Sequence, residues 1–359
     1  MMSNISEEAF TKAKIMLFPR QVIAGHGMLG RITDMCRSFN LKGTCVIVTG
    51  PLTKNIAGMV IADLLHDAGY NVHISEVSSA DLENIKKVEE LAKEVKTNFF
   101  VGVGGGSKID VGKYCASKLF VPFISVPTSA SHDGIASPKA TIKNNNKPYS
   151  VDAEMPIGIL ADTSIIVKAP YRLLASGCAD VIGNICSVKD WELGAKLRNE
   201  EFSSTACAIA KTSAENIIQN VEHIKPNSEE SAWIAIKPMI ASGITAGIAG
   251  SSRPISGSEH LFSHAVELIS PGKALHGELC GIGAIMMMYL HGGDWEMIKD
   301  ALKKISAPTT AKECNLSKEE IIKALTMAHK IRPERYTILG DNGLTLEAAE
   351  KLATITGVI

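Results

Sequence analysis

Phe99-Phe100-Val101-Gly102-Val103-Gly104-Gly105-Gly106-Ser107-Lys108-Ile109-Asp110-Val111-Gly112-Lys113 is the stretch that decides the fold. An apolar run ends in three glycines and passes straight into residues with helical spacing, so a strand delivers the chain to a helix N-terminus. Such a junction binds phosphate: glycines let a ligand approach the backbone, and the free N–H groups with the helix dipole attract the anion. It matches neither common nucleotide fingerprint. Gly102 and Gly104 begin a Gly-x-Gly pattern, but Ser107 stands at its sixth position, and the spacing of Gly106 from Gly112 with Tyr114 after Lys113 excludes a Walker A loop. A glycine run by itself also serves as a plain tight turn.

The surrounding sequence alternates in the same way. Residues 22–24 predict a strand before a Gly25-His26-Gly27 turn, 45–49 a short buried strand, 56–68 a helix, 72–77 a strand and 82–95 a helix. Short apolar strands separated by helices imply a parallel sheet covered on both faces. A further strand over 123–126 runs into Val126-Pro127-Thr128-Ser129-Ala130-Ser131-His132-Asp133-Gly134-Ile135-Ala136-Ser137-Pro138, a loop with four hydroxyl side chains and a carboxylate, where α/β proteins place ligand-binding groups. Clusters of Ser, Thr and Asp are also ordinary turn and cap residues. Asn144-Asn145-Asn146 reads as a hairpin tip. From Ala169 onward strand signals fade into long segments of helical period. The expected architecture is an α/β N-terminal domain with a Rossmann-like parallel sheet (1–168) and an all-α C-terminal domain (169–359), with the active site in the cleft between them.

Composition sets bounds. With 359 residues, 45% hydrophobic and 21% charged, the chain buries a sizeable core and is long enough for two domains. A net charge of −1 without a basic block leaves no footprint for nucleic acid or a membrane surface. Glu7 and Glu8 without an apolar core argue against a signal peptide, and apolar stretches such as 281–290 fall short of the roughly twenty residues a bilayer span requires. Eight cysteines without a Cys-x-x-Cys pair suggest reduced thiols. A cytoplasmic protein with small-molecule partners is expected, assembled as a homo-oligomer.

Asp180, His260, His264 and His276 carry the chemistry. One carboxylate and three imidazoles, set in Gly-Cys-Ala-Asp-Val-Ile-Gly-Asn, Gly-Ser-Glu-His-Leu-Phe-Ser-His and Leu-His-Gly-Glu, suit Zn²⁺ or Fe²⁺. Three protein ligands would leave an open coordination position, the mark of catalytic zinc. His260 and His264 are four apart, on one face of a helix. Glu259 precedes the first histidine and no Glu follows it, so the metalloprotease pattern is absent. A lone histidine of this kind would be unremarkable; three within seventeen positions in Gly-rich surroundings are not.

Taken together, Gly-Gly-Gly-Ser-Lys-Ile-Asp, Pro-Thr-Ser-Ala-Ser-His-Asp-Gly-Ile-Ala-Ser, Ser251-Ser252-Arg253-Pro254-Ile255-Ser256-Gly257-Ser258-Glu259-His260 and Ala274-Leu275-His276-Gly277-Glu278 resemble the superfamily of glycerol dehydrogenase, iron-containing alcohol dehydrogenases and dehydroquinate synthase. The narrower resemblance, over nearly the whole chain, is to the sn-glycerol-1-phosphate dehydrogenase family. It implies Asp180, His260 and His276 as metal ligands, and Gly106, Ser107, Lys108, Ile109, Asp110, Thr128, Ser129, Ala130, Ser131 and Ser137 as contacts to NAD(P)H. Asp133, Asp180 and His264 would face the substrate and take part in catalysis. Asn184 stands where the four-ligand iron enzymes place a further His, so three ligands remain and zinc is favoured. The implied reaction is reduction of dihydroxyacetone phosphate to sn-glycerol 1-phosphate, the first step of archaeal-type glycerophospholipid backbone synthesis. Zinc would act on the ketone oxygen, nicotinamide would deliver hydride, His264 would relay the proton and Asp133 would hold a substrate hydroxyl.

A glycerol dehydrogenase would need no group for a phosphate, a dehydroquinate synthase would need more basic residues around the metal, and a non-catalytic nucleotide-binding scaffold would show a broken metal set. Arg253, Lys139 and Lys143 are the candidate phosphate partners, although each is equally read as a solvated surface charge. In NAD-restricted iron-dependent relatives an Asp often stands where Gly50 does. Gly50 removes its repulsion of a 2′-phosphate, which implies use of both NADH and NADPH.

Overall fold

Strands rich in Val, Ile and Phe make up the sheet, as their buried apolar runs predict. The structure is a computed structural model describing residues 13–144 and 147–359. Its strands are β1 (Gln21–Gly25), β2 (Thr44–Thr49), β3 (Asn71–Glu76), β4 (Phe99–Gly104), β5 (Phe123–Pro127), β6 (Lys139–Asn144), β7 (Lys147–Asp152) and β8 (Gly158–Asp162). Six of them form one sheet in the order β1-β8-β5-β4-β2-β3, with every pair parallel. β6 and β7 pair antiparallel beside it, Asn144 opposite Lys147; Asn145 and Asn146 of the expected tip lie outside the described residues, as do Glu7 and Glu8.

Helices α1 (Ile32–Ser38), α2 (Pro51–Thr53), α3 (Met59–Asp67), α4 (Leu82–Glu94), α5 (Gly106–Leu119) and α6 (Thr163–Ile166) accompany the sheet. They are followed by α7 (Tyr171–Arg198), α8 (Ser204–Gln219), α9 (Glu229–Ala249), α10 (Ser258–Ile269), α11 (His276–Leu290), α12 (Trp295–Lys304), α13 (Lys318–Met327) and α14 (Leu346–Ile355). Two elements depart from the sequence expectation. The helix expected over 56–68 begins at Pro51, because Pro51 occupies its first turn and the Gly50 N–H donates to Thr53 Oγ1 at 2.9 Å; a π turn over Lys54–Gly58 then joins α2 to α3. Gly-Ile-Leu-Ala-Asp of β8 has one β-branched residue and gives little local signal, yet it is central, paired with β1 on one side and β5 on the other.

Period-two alternation splits the core. Cys45, Ile47, Phe99, Val101 and Val103 face one buried cluster, and Val46, Val48 and Phe100 face the other. The second cluster continues without a break into the helical half through Ile182, Met239 and Met286, so sheet and helices share one core. Among the described residues only α9 is long and apolar enough to cross a membrane, and 72% of its apolar window is buried inside the protein, as befits a core helix.

Two glycines set how closely the helices approach the loop after β5. A Cβ on Gly177 of α7 would lie 2.3 Å from the Ala130 carbonyl oxygen and 2.4 Å from Met239 Cε, and one on Gly243 of α9 would lie 2.2 Å from the Asp133 carbonyl oxygen. Replacement Gly177→Ala should therefore destabilise the fold by about 1–3 kcal/mol through overpacking. Thermal unfolding measures it, and an unchanged midpoint would show that the loop yields without cost.

Candidate metal centre and cofactor cleft

Four donor groups converge between the helices. Asp180 lies mid-way along α7, His260 and His264 lie one turn apart on α10, and His276 is the first residue of α11 with Cys280 one turn further on. Asp180 Oδ1 is 3.4 Å from His260 Nε2 and 3.8 Å from His276 Nε2, and Cys280 Sγ is 3.6 Å from His276 Nε2. One donor atom from each of Asp180, His260, His276 and Cys280 lies within 4.8 Å of all the others. Asp180 is only 2% exposed, and its Oδ1 has no hydrogen-bond partner. A buried carboxylate oxygen left unpaired between two imidazoles is costly unless a cation sits there, so the donor set fits a divalent metal such as Zn²⁺. His264 is drawn off to one side, its Nδ1 3.1 Å from Glu267.

Neighbouring carboxylates aim the imidazoles. His260 Nδ1 lies 2.7 Å from Glu259 Oε1, and His276 Nδ1 lies 3.0 Å from Glu267 Oε1, which turns both Nε2 atoms toward Asp180. Burial works to raise the Asp180 carboxyl, but the adjacent imidazoles of His260 and His276 hold it well below the ordinary carboxylate range. Glu259 and Glu267 are likewise held low against burial, Glu259 by His260, Ser187 and the Gly257 N–H, and Glu267 by His276 and His264. Burial pushes His264 down, toward the neutral imidazole.

The loop after β5 is tied to this centre from two directions. The Asp133 N–H donates to Asp180 Oδ2 at 3.1 Å, while Asp133 Oδ2 accepts from Ser242 Oγ at 2.6 Å. Burial, reinforced by the Asp180 charge, pushes the Asp133 carboxyl up to about 7. Asn184, one turn beyond Asp180, donates to Ser242 Oγ at 2.7 Å and so supports Asp133 from behind. On the other side Lys113 of α5, fully buried, donates to the carbonyls of Gly134 (2.6 Å), Ser137 (3.2 Å) and Lys139 and pairs with Asp110 Oδ1 at 3.1 Å.

A cleft of about 360 Å³ opens from the metal donors across this loop to the start of α5. Of the residues expected at the cofactor, Gly106, Ser107, Asp110 and Ser137 line it, with Asp133, Asp180, His260, His264 and His276. Asp110 is already engaged, by Lys113 and by the Thr141 N–H at 3.1 Å. Ile109 and Ala130 point their side chains into the core, so only their backbone is open to a ligand; Thr128 and Ser129 are buried where β5 ends, and Ser131 is half-buried next to them. Lys108 turns away along β2: a Cβ on Gly50 would lie 2.5 Å from Lys108 Cε, and Lys108 Nζ donates to the Ser78 carbonyl and to Ser107 Oγ, both at 3.0 Å. A larger groove of about 670 Å³ between α8 and α9, lined by Ile209, Ile234 and Pro238, holds neither imidazole nor carboxylate.

The expectation for Arg253 is corrected. Its guanidinium is buried at 3% exposure, donates to Glu200 Oε2 at 2.5 Å and to the Tyr336 carbonyl at 2.8 Å, and does not line the cleft. The cations that do are Lys139, Lys143 and Arg332; Lys139 pairs with Asp152, whereas Lys143 and Arg332 form no ion pair among the described residues. Sequence reasoning also missed His132, Cys280, Glu259, Glu267 and Lys113. His132 lines the cleft with Nε2 against Gly106, where a Cβ would lie 1.9 Å away. Cys280 left a signal in its i+4 spacing from His276, and Glu259 and Glu267 in standing one residue before His260 and three after His264; the Lys113 contacts to the loop carbonyls and the approach of His132 to Gly106 depend on segments further apart.

Residues 23–170 match the iron-containing alcohol dehydrogenase family. The chain is 52% identical over 347 residues to a glycerol-1-phosphate dehydrogenase (NAD(P)+) of Methanosarcina mazei, covering 97% of each chain. It is 52% identical over 346 residues to the enzyme of the same name from Methanothermobacter thermautotrophicus, covering 96% of this chain and 99% of that one. The fold is similar to the crystal structure of glycerol dehydrogenase from Schizosaccharomyces pombe, with a TM-score of 0.78 at 20% identity over 96% of this chain and 91% of that one.

Lys113 is the internal clamp on the loop that carries Asp133. Replacement Lys113→Met strands the buried Asp110 carboxylate and several carbonyls, so unfolding free energy should fall by about 3–5 kcal/mol. Denaturant titration gives the value, and a loss below about 1 kcal/mol would mean that the lysine is not the clamp.

Proposed function

Because the chain belongs to the glycerol-1-phosphate dehydrogenase family, we propose that it reduces dihydroxyacetone phosphate to sn-glycerol 1-phosphate with NADH or NADPH, using zinc held by Asp180, His260 and His276. The observation that carries this reading is the unpartnered Asp180 Oδ1 between two oriented imidazoles, in one cleft with the glycine-rich start of α5. In balance, ketone, NAD(P)H and one proton give alcohol and NAD(P)+. Zinc, when bound, supplies Lewis acidity for the ketone oxygen. The first turn of α5 and the residues from Thr128 to Ser131, with Ser137, orient the dinucleotide, their backbone N–H groups and hydroxyls meeting its phosphates. Asp133 holds a substrate hydroxyl. His264, kept neutral by burial and anchored through Nδ1 to Glu267, leaves Nε2 to pass the proton. Lys143 and Arg332 meet the substrate phosphate. The product would supply a glycerophospholipid backbone of the archaeal type.

The same reading divides the chain at 168/169, supported by the last strand ending at Asp162 and the first long helix beginning at Tyr171. It includes an assembly of like chains, supported by the exposed run Ile15-Met16-Leu17-Phe18 close to the edge strand β1. A cytosolic setting is supported by eight cysteines that are all free and buried.

His276→Ala removes one metal donor, so zinc per chain and turnover should both collapse while NADH binding survives; full zinc occupancy at a normal rate would sink the assignment. For the substrate, Arg332→Ala and Lys143→Ala should raise KM for dihydroxyacetone phosphate with a smaller effect on kcat, because a remote charge contributes uniform binding. Comparable wild-type kcat/KM for phosphorylated and unphosphorylated dihydroxyacetone would point instead to a glycerol dehydrogenase.

Cofactor choice follows from the Lys108 ammonium near Gly50, where a carboxylate would otherwise repel a 2′-phosphate. Both reduced cofactors should work within about tenfold of each other in kcat/KM, roughly 1.4 kcal/mol. Lys108→Ala should lower kcat/KM for NADPH more than for NADH. Equal losses with the two would remove the lysine from 2′-phosphate recognition.

A further inference from the structure

Cys280 stands at the fourth corner of the metal site, and we propose that its thiolate is a fourth protein ligand of the bound metal. The inference rests on the metal-site reading above and extends it by one residue. The relevant geometry is that of the donor polyhedron. Zinc bonds of about 2.0–2.1 Å to nitrogen or oxygen and about 2.3 Å to sulfur place tetrahedral donors about 3.4 Å apart along an O–N edge and about 3.6 Å apart along an N–S edge. The distances here are 3.4 Å from Asp180 Oδ1 to His260 Nε2 and 3.6 Å from Cys280 Sγ to His276 Nε2. The Asp180–His276 edge is 3.8 Å, and all the donor atoms lie within 4.8 Å of one another.

Three further facts make the thiol a donor rather than a core side chain that happens to be near. The deeply buried Asp180 Oδ1 has no hydrogen-bond partner, so a cation held by these atoms would meet an acceptor that nothing else satisfies. The α11 helix puts Cys280 one turn beyond His276 on the same face, so any metal drawn to His276 Nε2 comes within reach of Sγ. On α7 the residue one turn beyond Asp180 does not compete, because the Asn184 side chain donates to Ser242 Oγ at 2.7 Å. As the Sγ–metal bond forms, the S–H bond breaks and its proton passes to solvent. With four protein donors, the substrate oxygen would join as a fifth ligand, a coordination number that catalytic zinc can reach. Sulfur in the set also favours zinc over the harder divalent cations.

X-ray absorption at the zinc edge of the wild-type holoenzyme should show one sulfur among nitrogen and oxygen neighbours. The cobalt-substituted enzyme should show thiolate-to-cobalt charge-transfer absorption in the near ultraviolet. Cys280→Ala should lose that absorption and bind metal about tenfold or more weakly, as a metal competition assay reads. A full complement of metal with only nitrogen and oxygen neighbours, or charge-transfer absorption that persists in Cys280→Ala, would overturn the fourth ligand and leave the three-ligand site standing. Wild-type protein that takes up neither zinc nor cobalt would overturn both. Should Cys280→Ala fail to fold, the wild-type absorption spectra decide alone.

Discussion

A carboxylate buried in the middle of a helix is the constraint from which the rest of this site follows. Asp180 sits inside α7 with almost no access to water, and an unpaired charge in such a place costs several kcal/mol. Groups that compensate it come from elsewhere in the chain: two imidazoles from α10 and the start of α11, and one backbone N–H from the loop after β5. Each of these elements is placed by the packed core, and each in turn carries its own requirement. The imidazoles need their far nitrogens satisfied, which brings Glu259 and Glu267 into the site; the loop needs its carbonyls satisfied, which brings in Lys113.

Lys113 and Asp180 are complementary solutions to one problem. The loop between Thr128 and Ser137 must be rigid enough to hold Asp133 against the metal centre, yet it has little regular structure of its own beyond one 3₁₀ turn. A buried ammonium on the sheet side gathers its carbonyls, and a buried carboxylate on the helical side accepts one of its N–H groups. Gly177 and Gly243 remove the side chains that would keep α7 and α9 from reaching it. The loop is thus clamped between the two halves, and through it the cofactor end of the cleft is mechanically joined to the metal end.

Charge is distributed unevenly along that cleft. Carboxylates and imidazoles surround the metal donors, while Lys139, Lys143 and Arg332 gather toward the hairpin of β6 and β7. An anionic phosphate is drawn to the cationic end, which would place a three-carbon ketone attached to it near the metal without further recognition elements. At the far end, Lys108 fills the space over Gly50 and reaches Ser78, so the absence of a carboxylate on β2 is accompanied by the presence of a cation.

Local sequence determined the parts whose physics is local. Period-two apolar runs and the Gly104–Gly106 junction sufficed for the parallel sheet and for a helix starting at the glycine run, and the i, i+4 spacing of His260 and His264 placed both on one helix face. The match of motif order to a known family supplied the roles expected of Asp180, His260 and His276. Tertiary structure decided what depends on segments far apart in sequence. Arg253 reads in sequence as a phosphate partner, yet folding buries it against Glu200, 53 residues away, because an arginine in the interior must find a carboxylate. Arg332 looks like one more surface cation until the chain returns it to the cleft. β8 carries almost no strand signal and becomes central because its neighbours on both sides leave hydrogen bonds that only another strand can satisfy. Which donors share a metal is likewise a matter of distance in space, set by the packing of α7, α10 and α11 and by no pattern along the chain.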